Sequence, residues 1–147
     1  MHTPAPEINY TDFRITRLNF SLNPEFSAAS QQAQVHTEFK IRHELQGTGL
    51  KVFMAVIFKD SPTHKVPFLL NIEGVATFKL QHPPSASALQ PLVKRHCAPA
   101  IFPYLREAIA DITRRAGFPP LHIPQVDFAH AFAQESEPGP APSHSLH

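Results

Sequence analysis

The chain has 147 residues and a formal charge of +1, which suit one domain with a modest core and give no electrostatic case for non-specific nucleic-acid or anionic-membrane binding. No apolar run is long enough to span a bilayer, and the single cysteine, Cys97, excludes an internal disulfide framework and suits a reducing compartment. Twelve Phe with no Trp and 2 Tyr, beside 16 Pro, are more apolar surface than a small core uses, and point to an oligomer interface, a peptide-binding surface or both.

In chain order, Met1–Asp12 has little periodicity and reads as a loose lead-in. It lacks a positive segment followed by an apolar core, so no secretory signal is expected and the cytoplasm is the default location. Phe13–Leu22 is a strand whose alternation changes phase. Phe13 and Ile15 lie on one alternation and Leu18, Phe20 and Leu22 on the other, which a bulge near Arg17 reconciles. The small and polar residues of Asn23–Gln34 read as a loop. Val35–Leu45 alternates cleanly, with Phe39 and Ile41 on the apolar side and Glu38, Lys40, Arg42 and Glu44 on a solvated one. A hairpin turn follows at Gln46-Gly47-Thr48-Gly49. Leu50–Lys59 is apolar on both faces and reads as a central strand. After a turn at Asp60–Pro67, Phe68–Leu80 is a fourth strand, weakened or bent at Gly74. Four such strands predict an antiparallel β-meander.

The Pro/Ser/Ala-rich stretch Gln81–Cys97 reads as a long crossover, a length of loop that is commonly functional or mobile. It leads into the chain's one long amphipathic helix, near Ala98–Ala116. Ile101, Leu105, Ala108, Ile109, Ile112 and Ala116 make a single stripe on a 3.6-residue period. Pro99 suits its start, Arg114 and Arg115 suit its last turn, and Gly117 followed by Pro119 and Pro120 stops it. Beyond the turn Phe118–Gln125, Asp127 can cap a short second helix bearing Phe128, Ala131 and Phe132. The remainder, ESEPGPAPSHSLH, has no apolar period and reads as a disordered tail, so the division is a domain over 1–134 and a tail over 135–147. The fold class is thus α+β: the sheet, a long crossover, one long helix and one short C-terminal helix.

Reaction chemistry finds little support. The ten histidines form no pair at metal-binding spacing, and His36 and His43 lie on opposite faces of their strand. Cys97 follows His96 near a helix N-terminus, where the dipole can lower a thiol pKa, but a nucleophile also needs a base and an orienting group. There is no phosphate loop, nucleophile elbow or carboxylate pair. No enzyme activity, metal or cofactor is expected. Lys40, Arg42, Lys51 and Lys59 are interleaved with Glu38 and Glu44, which is a solvated face rather than a nucleic-acid site. What remains is a surface that binds extended polypeptide in an apolar groove, without a nucleotide.

The run CAPAIFPYLRE and the later FPPLHIPQVDF resemble the corresponding segment of the SecB family of bacterial protein-export chaperones. Phe102, Pro103, Tyr104, Arg106 and Glu107 match the family's Phe-Pro-Tyr-x-Arg-Glu helix core. Phe118, Pro119 and Leu121 match the turn after it. Val126, Asp127 and Phe128 match the entry to the second helix, where Gln125 replaces the usual Pro. The resemblance implies a four-stranded antiparallel sheet with two helices, assembled as a homotetramer (a dimer of dimers) whose helices pack between dimers. It places Ile101, Leu105, Ile109 and Ile112 on an oligomer-interface helix. It places Phe39, Ile41 and Phe128, with Phe78 and Phe132 as additions, on a groove for unfolded or precursor polypeptides. The family's docking surface for the SecA translocation motor is acidic. Here Asn71 stands where a glutamate follows the Phe-Leu-x start of the fourth strand, and Phe13–Leu22 carries no acidic residue. The resemblance therefore implies either export service or, as in SecB-like chaperones of toxin–antitoxin systems, a dedicated antitoxin client; an adaptor binding one folded partner through its sheet is the other reading of the residues.

Overall fold

A computed structural model describes residues 8–26, 37–60, 65–124 and 126–128. Four strands, β1 (Ile8–Leu22), β2 (Thr37–Gln46), β3 (Gly49–Phe58) and β4 (Phe68–Leu80), form one antiparallel sheet in the order β1-β4-β3-β2. The α+β class is as expected, but the meander runs only through β2, β3 and β4. The first strand crosses back to pair with β4 from Ile8↔Leu80 to Leu22↔Phe68, a Greek-key order. In the β2–β3 turn Gly47 has φ 64 and Thr48 has no positive φ, the pattern of a type II′ hairpin.

β1 begins five residues earlier than its alternation predicts, because β4 is long enough to pair with it as far as Ile8. Its register shifts twice, between Tyr10 and Asp12 and between Ile15 and Arg17. The second shift is the bulge expected near Arg17. Both extra residues are threonines whose hydroxyls donate across the strand gap, Thr11 Oγ1 to the Thr77 carbonyl at 3.0 Å and Thr16 Oγ1 to the Glu73 carbonyl at 3.2 Å. The side chains thus supply hydrogen bonds where the backbone ladder is disrupted.

Gly74 does not bend its strand; it pairs in register with both Met54 and Ile15. Its missing side chain makes room instead. A Cβ there would lie 2.6 Å from Phe13 Cε1 and 3.2 Å from Leu105 Cδ2, so the ring of one element and the helix of another meet over bare backbone.

Most of the expected crossover is helical. Ser85 caps α1 (Ala86–Leu92), its Oγ accepting from the Ala88 N–H at 3.3 Å. A π turn (Val93–Cys97) joins it to α2 (Ala98–Arg115), with right-handed helical angles at both junctions, so the three make one helix. The prolines that read as punctuation are accommodated. Pro91 withdraws a donor only from the carbonyl of exposed Ser87. Pro99 directly follows the wider turn, which eases its ring past the carbonyl of exposed Arg95. The helix ends as expected: Gly117 has φ 97, its N–H bonds the Arg114 carbonyl at 3.1 Å, and the Phe118 N–H bonds the Thr113 carbonyl at 3.0 Å. This is a Schellman stop.

The helix crosses β3 and β4, and Ile101, Leu105 and Ile109 share one core with Val52, Met54, Val56, Ile72 and Ala76. The chain then returns along the helix. Buried Thr113 donates to the Ile109 carbonyl at 2.8 Å and accepts from the Leu121 N–H at 2.9 Å. At the far end Asn23 ties β1 to the segment before β4, donating to the Val66 carbonyl at 2.8 Å and to Asp60 Oδ1 at 3.0 Å. Of the expected second helix only Phe128 is described; Ala131, Phe132 and the 135–147 tail lie outside the described residues.

Candidate peptide-binding surface

The residues assigned to a groove fall in two places, neither of them open. Phe39 and Phe128 meet Phe102 in a three-ring cluster with centroids 5.3–5.9 Å apart, and all three are buried. Ile41, on the same strand face as Phe39, is half-buried. Phe78 lies at the opposite end of the sheet, edge-on to Tyr10 at 6.1 Å, and is also buried. Phe132 is outside the described residues. Within this chain, then, Phe39, Phe78 and Phe128 are core residues.

Three of the four residues assigned to an oligomer interface also face inward within the single chain. Ile101, Leu105 and Ile109 are 0% exposed within the single chain, and Ile112 is half-buried. An amphipathic stripe reports that one helix face is covered, not what covers it. Here the chain's own sheet covers it.

The surface that the sequence reading missed lies beside the helix. Because the helix sits over β3 and β4, the same face of β1 is only partly covered, and Tyr10, Ile15, Leu18 and Leu22 are exposed there, with Tyr104 on α2. Their fractional exposures run from 42% for Tyr10 to 61% for Leu22. Register places Tyr10, Ile15, Leu18 and Leu22 opposite Phe78, Gly74, Ile72 and Phe68, so all four share the helix-bearing face. Two bulges keep them there; without them the apolar residues would alternate faces. Tyr104 stacks on Phe13 at 4.8 Å and on Tyr10 at 5.9 Å, locking the helix to the strand edge. Next to Tyr104 an open hollow of about 450 Å³ is lined by Glu107, Ala108, Asp111, Arg114, Pro120 and His122. The change of phase at Leu18, Phe20 and Leu22 was the readable sign of this band.

Charge contributes little to the hollow. Hydrogen bonds from Arg115 and Arg114, at 2.9 and 2.6 Å, hold the Asp111 carboxyl below the usual aspartate range. Cys97 is not at a helix start but inside a continuous helix, wholly buried, and burial pushes its thiol up to about 12. A thiol so protonated and shielded is no nucleophile. Among the described residues no three His, Cys, Asp or Glu side chains gather as for a metal, and no helix is long and apolar enough to cross a membrane.

The comparisons agree with this geometry. The family model of the preprotein translocase subunit SecB matches residues 14–138. The protein-export protein SecB of Afipia carboxidovorans is 31% identical over 134 residues, covering 88% of this chain and 82% of that protein. That of Bradyrhizobium diazoefficiens is 30% identical over 139 residues, covering 91% and 85%. A SecB-like chaperone of Mycobacterium tuberculosis, solved in complex with a peptide from the HigA1 antitoxin, superposes with a TM-score of 0.70 at 19% identity, over 81% of this chain and 90% of that one. With its four-stranded sheet, single long helix and matching helix core, this chain belongs to the SecB family, a family of chaperones rather than enzymes.

Proposed function

We propose that this protein is an ATP-independent holdase, which binds unfolded or extended polypeptide along the apolar band of β1 and the neighbouring helix and delays its folding or aggregation. The observation that carries the proposal is the run Tyr10, Ile15, Leu18 and Leu22, exposed on one face beside Tyr104. Covering a large apolar side chain is worth roughly 1.5–3 kcal/mol when complete. Half-exposed side chains return about half of that, so five contribute on the order of 5 kcal/mol before the cost of ordering the client. One band therefore holds a segment weakly. Useful affinity requires several bands visited by one chain, which favours the homotetramer of the family over a monomer.

Leu18→Glu tests the reading. Leu18 is 46% exposed, so the change leaves the fold intact while placing a charge in the band. The wild-type chain is expected to suppress aggregation of a denatured protein at stoichiometric amounts without nucleotide, and the variant to lose most of that effect. Equal suppression by a variant with unchanged assembly would sink the proposal.

The client is either a set of export precursors or one dedicated partner. An antitoxin is a specific candidate, because the chaperone of like fold is solved with an antitoxin peptide. The absence of acidic residues at Asn71 and along Phe13–Leu22 disfavours docking on SecA. Pull-down from native cytosol separates the cases: many unfolded precursors, or one dominant partner.

A further inference from the structure

We infer that the face of the sheet away from the helix docks an acidic protein segment carrying a large apolar residue, separately from the client band. No described element packs on this face, and register sets its side chains in rows. One row reads Lys40, Ala55, Glu73, Arg17 from β2 across to β1. The next reads Arg42, Phe53, Val75, Arg14. Cations therefore stand at both margins of both rows, with one carboxylate between them.

Only part of this positive charge is paired within the chain, and the Arg14 guanidinium is the part held closest, donating to Asp12 at 3.1 Å. Glu73 accepts from the Thr16 hydroxyl at 2.9 Å, and Glu38 is held by Lys59 at 3.0 Å, leaving Lys40 4.0 Å from its carboxylate and two-thirds exposed. The Arg42 guanidinium carbon lies over the Phe53 ring, 3.7 Å from its centroid. That cation–π contact holds the head group on the sheet face, where its donors suit a carboxylate.

Beyond the Lys40 row the face opens into a recess of about 410 Å³, lined by Asn19, Ser21, Ile57, Leu69 and Asn71. Its floor is apolar and its walls carry amides and a hydroxyl. Asn71 Oδ1 is buried in this wall with no hydrogen-bond partner among the described residues, an orphan that the backbone N–H of a docked chain satisfies once the amide turns outward. Side chains on one face of an extended segment repeat about every 7 Å, the spacing of successive rows. A large apolar residue in the recess thus sets one carboxylate over the Lys40 row and one over the Arg42 row, two and four positions away, each within reach of a cation at one margin. A basic segment is repelled, and so is a second copy of this same face. The interleaved Glu38, Glu44 and Glu73 and the apolar centre disfavour a nucleic acid.

The test uses the full chain and a fluorescein-labelled peptide with leucine followed by glutamates at alternate positions, beside a lysine-for-glutamate control. The acidic peptide is expected to bind at low salt at least tenfold more tightly than the control. The double variant Lys40→Glu, Arg42→Glu is expected to lose that tenfold while still suppressing aggregation of a denatured client, and Leu18→Glu to bind the acidic peptide unchanged. Should the double variant misfold by circular dichroism, Arg42→Gln replaces it, with a loss of a few-fold expected. The proposal is overturned if both peptides bind alike, if neither binds, if Leu18→Glu removes acidic-peptide binding, or if single-stranded oligothymidylate binds as tightly with the same dependence on Lys40 and Arg42.

Discussion

Gly74→Ala isolates the contact on which the helix and β1 meet. A glycine-to-alanine change in an unobstructed strand stabilises by roughly 0.5–1 kcal/mol, chiefly by restricting the unfolded chain. At this position the new methyl lies 2.6 and 2.7 Å from Phe13 Cε1 and Cζ and 3.2 Å from Leu105 Cδ2. The ring must leave, and Leu105, wholly buried, must yield by a few tenths of an ångström. Overpacking of this kind costs about 1–3 kcal/mol, and loss of the Phe13–Tyr104 stack adds about 0.5–1.5 kcal/mol. The net expectation is a loss of about 1–3 kcal/mol. Urea unfolding measures it, at one chain concentration because assembly makes stability concentration-dependent. Repeating the change in a Phe13→Ala background removes the obstructing ring, and there Gly74→Ala is expected to be near neutral, a coupling of about 2 kcal/mol. Equal costs with and without the ring would refute the account of why a glycine stands in the middle of β4.

Three further outcomes follow from the same geometry. Thr113→Val leaves the Leu121 N–H without its acceptor and is expected to cost about 1–2 kcal/mol, with faster hydrogen exchange at Leu121, whereas Thr113→Ser retains the bond; equal losses in both would refute it. Cys97, buried with its thiol pushed up to about 12, should resist iodoacetamide at neutral pH until the chain unfolds, so rapid labelling of the native protein contradicts the placement. Asp111 has a folded pKa below its unfolded value, so its favourable contribution is complete above the ordinary aspartate pKa of about 3.9 and disappears as pH falls through the lower folded value. Asp111→Asn should flatten the acid limb of a stability–pH curve in that window and change little at neutral pH.

Features decided within a few residues were legible in the chain. Gly117 announces the helix stop, the broken alternation around Arg17 announces a bulge, and β4 runs from Phe68 to Leu80 as its apolar pattern says. The pairing of β1 with β4 was not legible, since a strand's alternation states which face is buried and is silent on its neighbour. The helical crossover was hidden by Pro91 and Pro99, whose cost depends on whether the carbonyls they abandon reach water. The apolar stripe Ile101, Leu105, Ile109 showed that the helix is covered, and only the fold shows by what. The resemblance assigns Phe39 and Phe128 to a groove, and within the single chain the three-ring cluster with Phe102 buries both. The exposed band needed both the bulge and the position of the helix, and the second of these is a tertiary fact.

The π turn at Val93–Cys97 has a bearing on how this helix tolerates change in length. Residues buried every fourth position, as from Cys97 through Ile101, Leu105 and Ile109 to Thr113, creep around an ideal helix by about 40° at each step. The loose turn absorbs part of that creep, so that Leu92 and Val93 still face the sheet that Ile101 and Leu105 face. It works as a gear tooth between two helical halves. Deleting one residue there lets the turn close to ordinary α geometry, whereas the same deletion within regular α2 rotates one side of the helix against the other by about 100°. Along this helix, those five residues are where a change of length is most readily absorbed.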